Sequence, residues 1–437
     1  MRMSVRTFTR LKFLKYAFIT LIVTYVLNFF GIFTHIFEKE YTTNFKYPYE
    51  GDINNFVDQL DAGEKPAIPP LNVYNYSFIL SSDHKCKKDA SSPRLVYLVK
   101  SSLVNFNQRL AIRNSWGFEG RFSDVIIRRV FLLGVSKNDP ALQKQIVKEH
   151  LKYRDIVQAN FIDDYYNNTI KTMMGFKWVM DYCPHSLVYF FSDDDMYVST
   201  KNVLRFIRNP THYPHYLENP VLSMDHHRKK RETLDSELRV LNASISRNRL
   251  VQNFHSSQIV PNDTKIGLKL SKDTSAINNV SSSNFLTILN GSLSSQSRKS
   301  LQIMDFDLPE DALLWAGYVF ISSPHRHRSS RWYVSLSEYP YAQWPPYVTA
   351  GAYVLSRNAL RLLYFASMYT KHFKFDDIYL GIAASKIGLE PYHCEDFYFY
   401  KKDYNVHTYR YVIASHGYDN PRELLDVWNE QRSAGNA

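Results

Sequence analysis

From Arg94 to Asp195 short apolar runs alternate with stretches of helical length, and this rhythm restricts the chain to one class of fold. Residues 95–99, 130–133 and 187–191 read as strands, 155–158 as a further candidate, and 108–116, about 139–153 and 168–182 as intervening helices. Strands separated by helices need crossover connections, which predict an α/β fold with a mostly parallel sheet flanked by helices. Such sheets bind ligands beyond the carboxyl ends of their strands. The last strand of the series runs straight into Ser192-Asp193-Asp194-Asp195. Three adjacent carboxylates repel one another, and a divalent cation is the simplest compensation. Oxygen ligands suit Mn²⁺ or Mg²⁺, which commonly bridge a carboxylate and substrate phosphates. A solvated acidic turn is the plain alternative; the apolar strand before it and Tyr197-Val198 after it argue against that.

The 437 residues are 45% hydrophobic, enough to build a large core. The formal charge of +11 divides into +5 over residues 1–15 and +6 over 224–300, so the remainder is neutral. A nucleic-acid footprint therefore has little support. Residues 16–37 carry no Asp, Glu, Lys or Arg and are long enough to span a bilayer. The preceding basic cluster Arg2, Arg6, Arg10, Lys12 and Lys15 predicts a cytosolic tail (1–15), a transmembrane signal anchor (16–37) and a lumenal remainder. A cleaved signal peptide is disfavoured by the length of the run and the lack of a small-x-small site. Residues 38–93, turn-rich and without periodicity, read as a stem, and 94–430 as the lumenal domain. Residues 224–304 interrupt that domain with a Ser- and Asn-rich, disordered insertion. Glycosylation sequons stand at Asn75, Asn167, Asn242, Asn262, Asn279 and Asn290. Cys86, Cys183 and Cys394 allow one disulfide, with its pairing open.

Three further groups carry possible chemistry. Arg109 and Arg113, four apart on one helix face, suit a diphosphate, although such a pair is more often a surface feature. Gly351, in a run of small residues after Pro345-Pro346, would admit a bulky ligand to the backbone. Asp376-Asp377 opens a helix over 378–387, where one carboxylate can cap and the other act as a general base. His416 is a candidate metal ligand, though a lone His is usually structural.

In order and spacing these motifs resemble the β-1,3-glycosyltransferases of the galactosyltransferase/Fringe-like group. The resemblance covers about 94–223 and 305–430, and the run from Lys371 to Gly381 is most similar to the Brainiac branch. It also takes in Phe161-x-Asp163-x-Tyr165-x-Asn167-x-Thr169-x-Lys171-Thr172. It implies a GT-A fold, a UDP-sugar donor, Mn²⁺, inversion at the anomeric carbon, a glycan acceptor on glycolipid or glycoprotein, and a type II Golgi membrane protein. By motif position Asp195 and His416 would hold the metal and Asp377, with Asp376, would serve as base. Arg109, Arg113, Asp163, Lys171, Asp193, Asp194 and Gly351 would line the donor side. Val348-Thr349 departs from the Cys that many relatives carry there. A non-catalytic folding helper or lectin-like module predicts loss of the acids, which are present, and a phosphohydrolase predicts a His-rich ligand set, which is missing.

Overall fold

The computed structural model describes residues 5–46, 51–86, 92–218 and 308–437. These fall into two units, Met1–Ile207 with Leu308–Ala437, and Arg208–Asp307. The second is described only over 208–218, as a 3₁₀ turn (Pro210–His212) and a short helix (His215–Glu218). The insertion expected over 224–304 lies outside the described residues.

In the first unit the strands are β1 (Phe78–Leu80), β2 (Leu95–Lys100), β3 (Ile127–Val135), β4 (Ile156–Ile162), β5 (Val188–Asp193), β6 (Tyr197–Val198), β7 (Trp315–Phe320), β8 (Tyr347–Ser356), β9 (Tyr392–His393), β10 (Phe397–Tyr398) and β11 (Ala414–Ser415). Eight form one sheet in the order β1-β4-β3-β2-β5-β8-β7-β9, and β10-β11-β6 form a small second sheet. β4, β3, β2 and β5 are parallel, with helices Phe106–Arg113, Pro140–Tyr153 and Asn168–Tyr182 in their crossovers. Every residue of β2 is buried, as expected for a continuous apolar run covered on both faces.

The sheet as a whole is mixed, with four of its seven pairings parallel, the fourth being β7 with β9. β8 pairs antiparallel with β5 and with β7, and β1 antiparallel with β4. Beyond Asp195 the sequence stops alternating strand with helix, so no crossover dictates parallel pairing. The small residues 349–352 lie inside β8, where its pairing with β7 shifts register between Gly317 and Val319.

Local sequence explains the helix ends. Asp139 accepts a hydrogen bond from the Leu142 amide at 2.8 Å, and Pro140 takes the first helical position. Helix Asp376–Lys386 starts two residues earlier than expected, so both aspartates sit in its first turn, where negative charge favours the helix dipole.

The stretch expected to be a free stem is instead a strap on the domain. Ile53 and Val57 are buried, and Phe56 stacks on Tyr369 at 5.2 Å. Asn72 Nδ2 donates to the Ser367 carbonyl at 2.8 Å and to Tyr379 Oη at 3.0 Å. β1 then joins the edge of the main sheet, and a Cys86–Cys183 disulfide ties the strap to the end of helix Asn168–Tyr182. Cys394 is a buried free thiol.

The helix of the apolar segment ends at Phe29, inside the expected span of 16–37. One helix, Val5–Phe29, contains a stretch (Lys12–Phe29) long and apolar enough to cross a membrane. It stops before Gly31, whose φ of 76° suits glycine and whose Cβ position would lie 2.5 Å from the Arg326 carbonyl oxygen. After it, Ile32–Ile36 forms a short helix with no buried residue, and the segment meets the domain at Gly31.

Candidate active site

The parallel strands set the site. Counted across the sheet, the order β4-β3-β2-β5 reverses direction in sequence between β2 and β5, the switch point at which α/β sheets open a crevice. Lys100 and Asp193 end these two strands as register partners. The Lys100 ammonium lies 3.0 Å from Asp193 Oδ1 and 2.9 Å from Asp376 Oδ2, and donates to the Ala350 carbonyl at 3.1 Å. One buried cation therefore joins the acid-rich strand end to the Asp376-Asp377 helix. A cleft of about 460 Å³ opens over this junction, its lining including Lys100, Asp193, Asp376 and Asp377 together with Tyr165, Phe320, Trp332, Tyr347 and Phe399.

Each carboxylate has a different environment. Asp193 faces the cleft; burial, with repulsion from Asp195 and Asp376, pushes its carboxyl up to about 6 against the pull of Lys100. Asp194 turns away, accepting from Ser101 Oγ at 2.5 Å and Asn105 Nδ2 at 3.0 Å; burial raises its carboxyl and these hydrogen bonds oppose the rise. Burial would raise Asp376 too, but Lys100 and a 2.7 Å hydrogen bond from Thr172 outweigh it and hold the carboxyl below its usual range. Asp377 lacks such a partner: Oδ1 accepts from the Ile378 amide, while burial and the charge of Asp376 push the carboxyl up to about 7. Burial alone would lower Lys100, but Asp193 and Asp376 keep its ammonium well above the ordinary lysine value.

Asp195 and His416 are brought together by the small sheet. β6 and β11 pair antiparallel with Ser415 opposite Tyr197, which carries His416 back alongside the Asp195 turn. His416 Nε2 lies 3.1 Å from Asp195 Oδ2, and this hydrogen bond raises the imidazole against the opposing effect of burial. Asp195 Oδ1 is buried and has no hydrogen-bond partner. An orphaned carboxylate oxygen beside an imidazole suits a divalent cation. Among the described residues no three His, Cys, Asp or Glu side chains converge as a metal cage. Gly351 sits beside this pair, its Cβ position 3.4 Å from Met196 Sδ and 3.6 Å from His416 Cδ2.

Four residues expected on the donor side lie elsewhere. Arg109 is wholly buried: Nε and Nη2 donate to Glu149, and Nη1 donates to Ser101 Oγ at 3.0 Å. Arg113 spans Glu149 (2.7 Å) and Asp155 (2.8 Å), and Arg129 also pairs with Asp155. Both helix guanidiniums are saturated by interior carboxylates, so neither is a diphosphate clamp; through Ser101, Arg109 braces Asp194. Asp163 and Lys171 pair with each other at 2.8 Å, and hold the Gly134 amide and the Ser101 carbonyl respectively, outside the cleft lining. Lys100 was missed by sequence reasoning; its only signal is a lysine closing an otherwise apolar strand.

Of the sequons, Asn75 is exposed. Asn167 is half-buried, its Nδ2 donating to the Ile162 carbonyl, and Thr169 is buried. The other four lie outside the described residues.

The family model described as galactosyltransferase matches residues 107–239 and 299–395, leaving 240–298 unmatched. The chain is 36% identical over 413 residues, 94% of each chain, to beta-1,3-galactosyltransferase brn of Drosophila melanogaster. It is 24% identical over 364 residues to mouse beta-1,3-galactosyltransferase 1, covering 83% of this chain and 81% of the relative. To human beta-1,3-galactosyltransferase 2 it is 25% identical over 372 residues, covering 84% of this chain and 65% of the relative.

Proposed function

The chain belongs to the galactosyltransferase family, and on that premise we propose that it is an inverting, metal-dependent β-1,3-hexosyltransferase of GT-A fold. It moves galactose or N-acetylglucosamine from a UDP-sugar to the 3-hydroxyl of an acceptor glycan on a glycolipid or glycoprotein. The observation that carries this reading is Lys100, whose single ammonium joins Asp193 and Asp376 in the lining of one cleft.

The chemistry follows from the charges. Asp195 and His416 would hold Mn²⁺ or Mg²⁺, which when bound supplies the positive charge that a departing diphosphate needs. Asp377 takes the acceptor's proton: it is open to the cleft, and its raised carboxyl makes it a stronger base than an ordinary aspartate while still ionised in part near neutrality. Asp376, fully engaged by Lys100 and Thr172, positions the helix start and raises its neighbour rather than accepting the proton itself. Attack opposite the leaving group needs no covalent glycosyl-enzyme, so one basic carboxylate suffices and the anomeric configuration inverts. The helix Val5–Phe29 supplies a membrane anchor, and a type II Golgi location with the domain in the lumen accompanies this reading.

Incubating the protein with UDP-galactose, UDP-N-acetylglucosamine and UDP-N-acetylgalactosamine, with and without a small acceptor panel and Mn²⁺, tests the proposal. Acceptor-dependent transfer that needs the cation supports it. Simple hydrolysis, or no turnover with any donor, refutes it.

A further inference from the structure

The loop that lines part of the cleft also contacts the end of the apolar helix. The Arg328 amide donates to the Phe29 carbonyl at 3.3 Å, and the His327 ring packs on Phe29 and Phe30 at 5.4 and 4.8 Å. Just beyond, Arg326 is buried, its guanidinium bonded to Glu38 and to the carbonyls of Val334, Tyr339 and Tyr341. Lys39 bridges Tyr341 as a one-residue parallel ladder. The joint between helix and domain is therefore a built contact, with no slack chain in it.

The same loop continues to the cleft. His325 packs on Trp332 at 5.6 Å, and Arg331 lies over the Tyr165 and Trp332 rings at 5.1 and 4.8 Å. His325, Arg331, Trp332 and Tyr165 all line the cleft. Trp332 stands only four positions after Arg328, at most ~14 Å of chain. The composition of this face is unusual. No acidic residue occurs from 312 to 337, while Arg328 and Arg331 are exposed. Ile321, Ile36, Phe37, Ile32 and Phe30 are exposed as well, and Trp332 is 45% exposed when the other five tryptophans are each at most 3% exposed.

We propose that the face made by residues 30–37 and 321–332 rests on the bilayer surface, so that one wall of the cleft lies at the lipid headgroups. The inference rests on the Val5–Phe29 helix crossing the membrane. Tryptophan and aliphatic side chains among arginines are the residues that settle at a membrane interface, the rings at headgroup depth and the guanidiniums on phosphates. Continuity with the helix end selects this occupant over a protein partner, because residues bonded to Phe29 are already at the edge of the hydrocarbon layer.

The test uses the full chain in nanodiscs of phosphatidylcholine brominated high on the acyl chains, with unbrominated discs as reference. Retention of the chain in membranes through alkaline carbonate establishes the crossing; release overturns both the crossing and the proposal. With the chain retained, bromine should quench the exposed-indole emission of the wild type, and W332F should lose that component. Equal quenching of wild type and W332F overturns the docking while leaving the anchor intact. Should W332F fail to fold, a nitroxide on S329C reads the same contact: protection from an aqueous relaxing agent supports it, and full aqueous accessibility overturns it.

Discussion

Asp377 offers the sharpest perturbation because its environment sets a number. Its carboxyl is pushed up to about 7 by burial first and by the charge of Asp376 second. A base must be ionised to act, so kcat/KM should rise with pH through that value. About a tenth of the enzyme carries the active carboxylate at pH 6 and about nine-tenths at pH 8, an increase of about tenfold. D376N removes the neighbouring charge, so the limb should move to lower pH in a folded enzyme. D377N should lower kcat by about 10²–10⁴-fold with donor affinity nearly intact. The assay is sugar transfer from the active UDP-sugar between pH 5.5 and 8.5 at two saturating Mn²⁺ concentrations. Protonation of His416 competes with metal, so a limb from that source shifts with Mn²⁺, whereas the Asp377 limb stays. A profile flat across this range, or a D377N enzyme with the wild-type rate and limb, would refute the assignment.

Three other outcomes follow from buried charge. K100M leaves Asp193 and Asp376 facing each other without a counter-ion and should cost about 3–5 kcal/mol of stability by urea unfolding, where a loss under about 1 kcal/mol would show that the bridge is dispensable. R113A takes one of two arginine partners from each of Glu149 and Asp155, leaving Arg109 and Arg129 in place, so it should cost about 1.5–3 kcal/mol of stability while the folded fraction binds donor normally. Loss of donor affinity without loss of stability would return that arginine to the donor site. D195A should abolish the Mn²⁺-dependent part of UDP-sugar affinity in calorimetry; an affinity that still responds to Mn²⁺ would remove Asp195 from the metal site.

The legible parts of the sequence were those with local causes. Period and capping marked β2, β3, β5 and the helices Pro140–Tyr153 and Asn168–Tyr182 within a few residues, and a strand ending in acids marked the crevice edge. What stayed hidden depended on partners far along the chain. Arg109 and Arg113 read as a clamp until Glu149 and Asp155, 36–42 residues away, closed on them. The three aspartates read alike, yet Asp194, in the turn after β5, faces away from the cleft toward Ser101 and Asn105. Residues 53–80 lack periodicity because a strap attaches through isolated anchors such as Val57 and Asn72, not through a repeating face.

The distribution of cations across the cleft bears on how a nucleotide sugar could bind at all. Asp193 and Asp376 pair with one ammonium and Asp377 adjoins them, and Lys100 has spent its three donors on Asp193, Asp376 and Ala350. Lys374, at the rim, is held by Glu338 and the Tyr333 carbonyl, and Arg331 lies on two aromatic rings. With Arg109 and Arg113 consumed in the interior, no arginine clamp stands at the carboxylates among the described residues. A diphosphate approaching these carboxylates meets net repulsion, which strengthens as water is excluded. On the proposed reading, this charge balance asks for a cation at Asp195 and His416 already at donor binding. It also accounts for carboxylate repulsion being retained at Asp377, since the charge that would disfavour the donor is what makes the base.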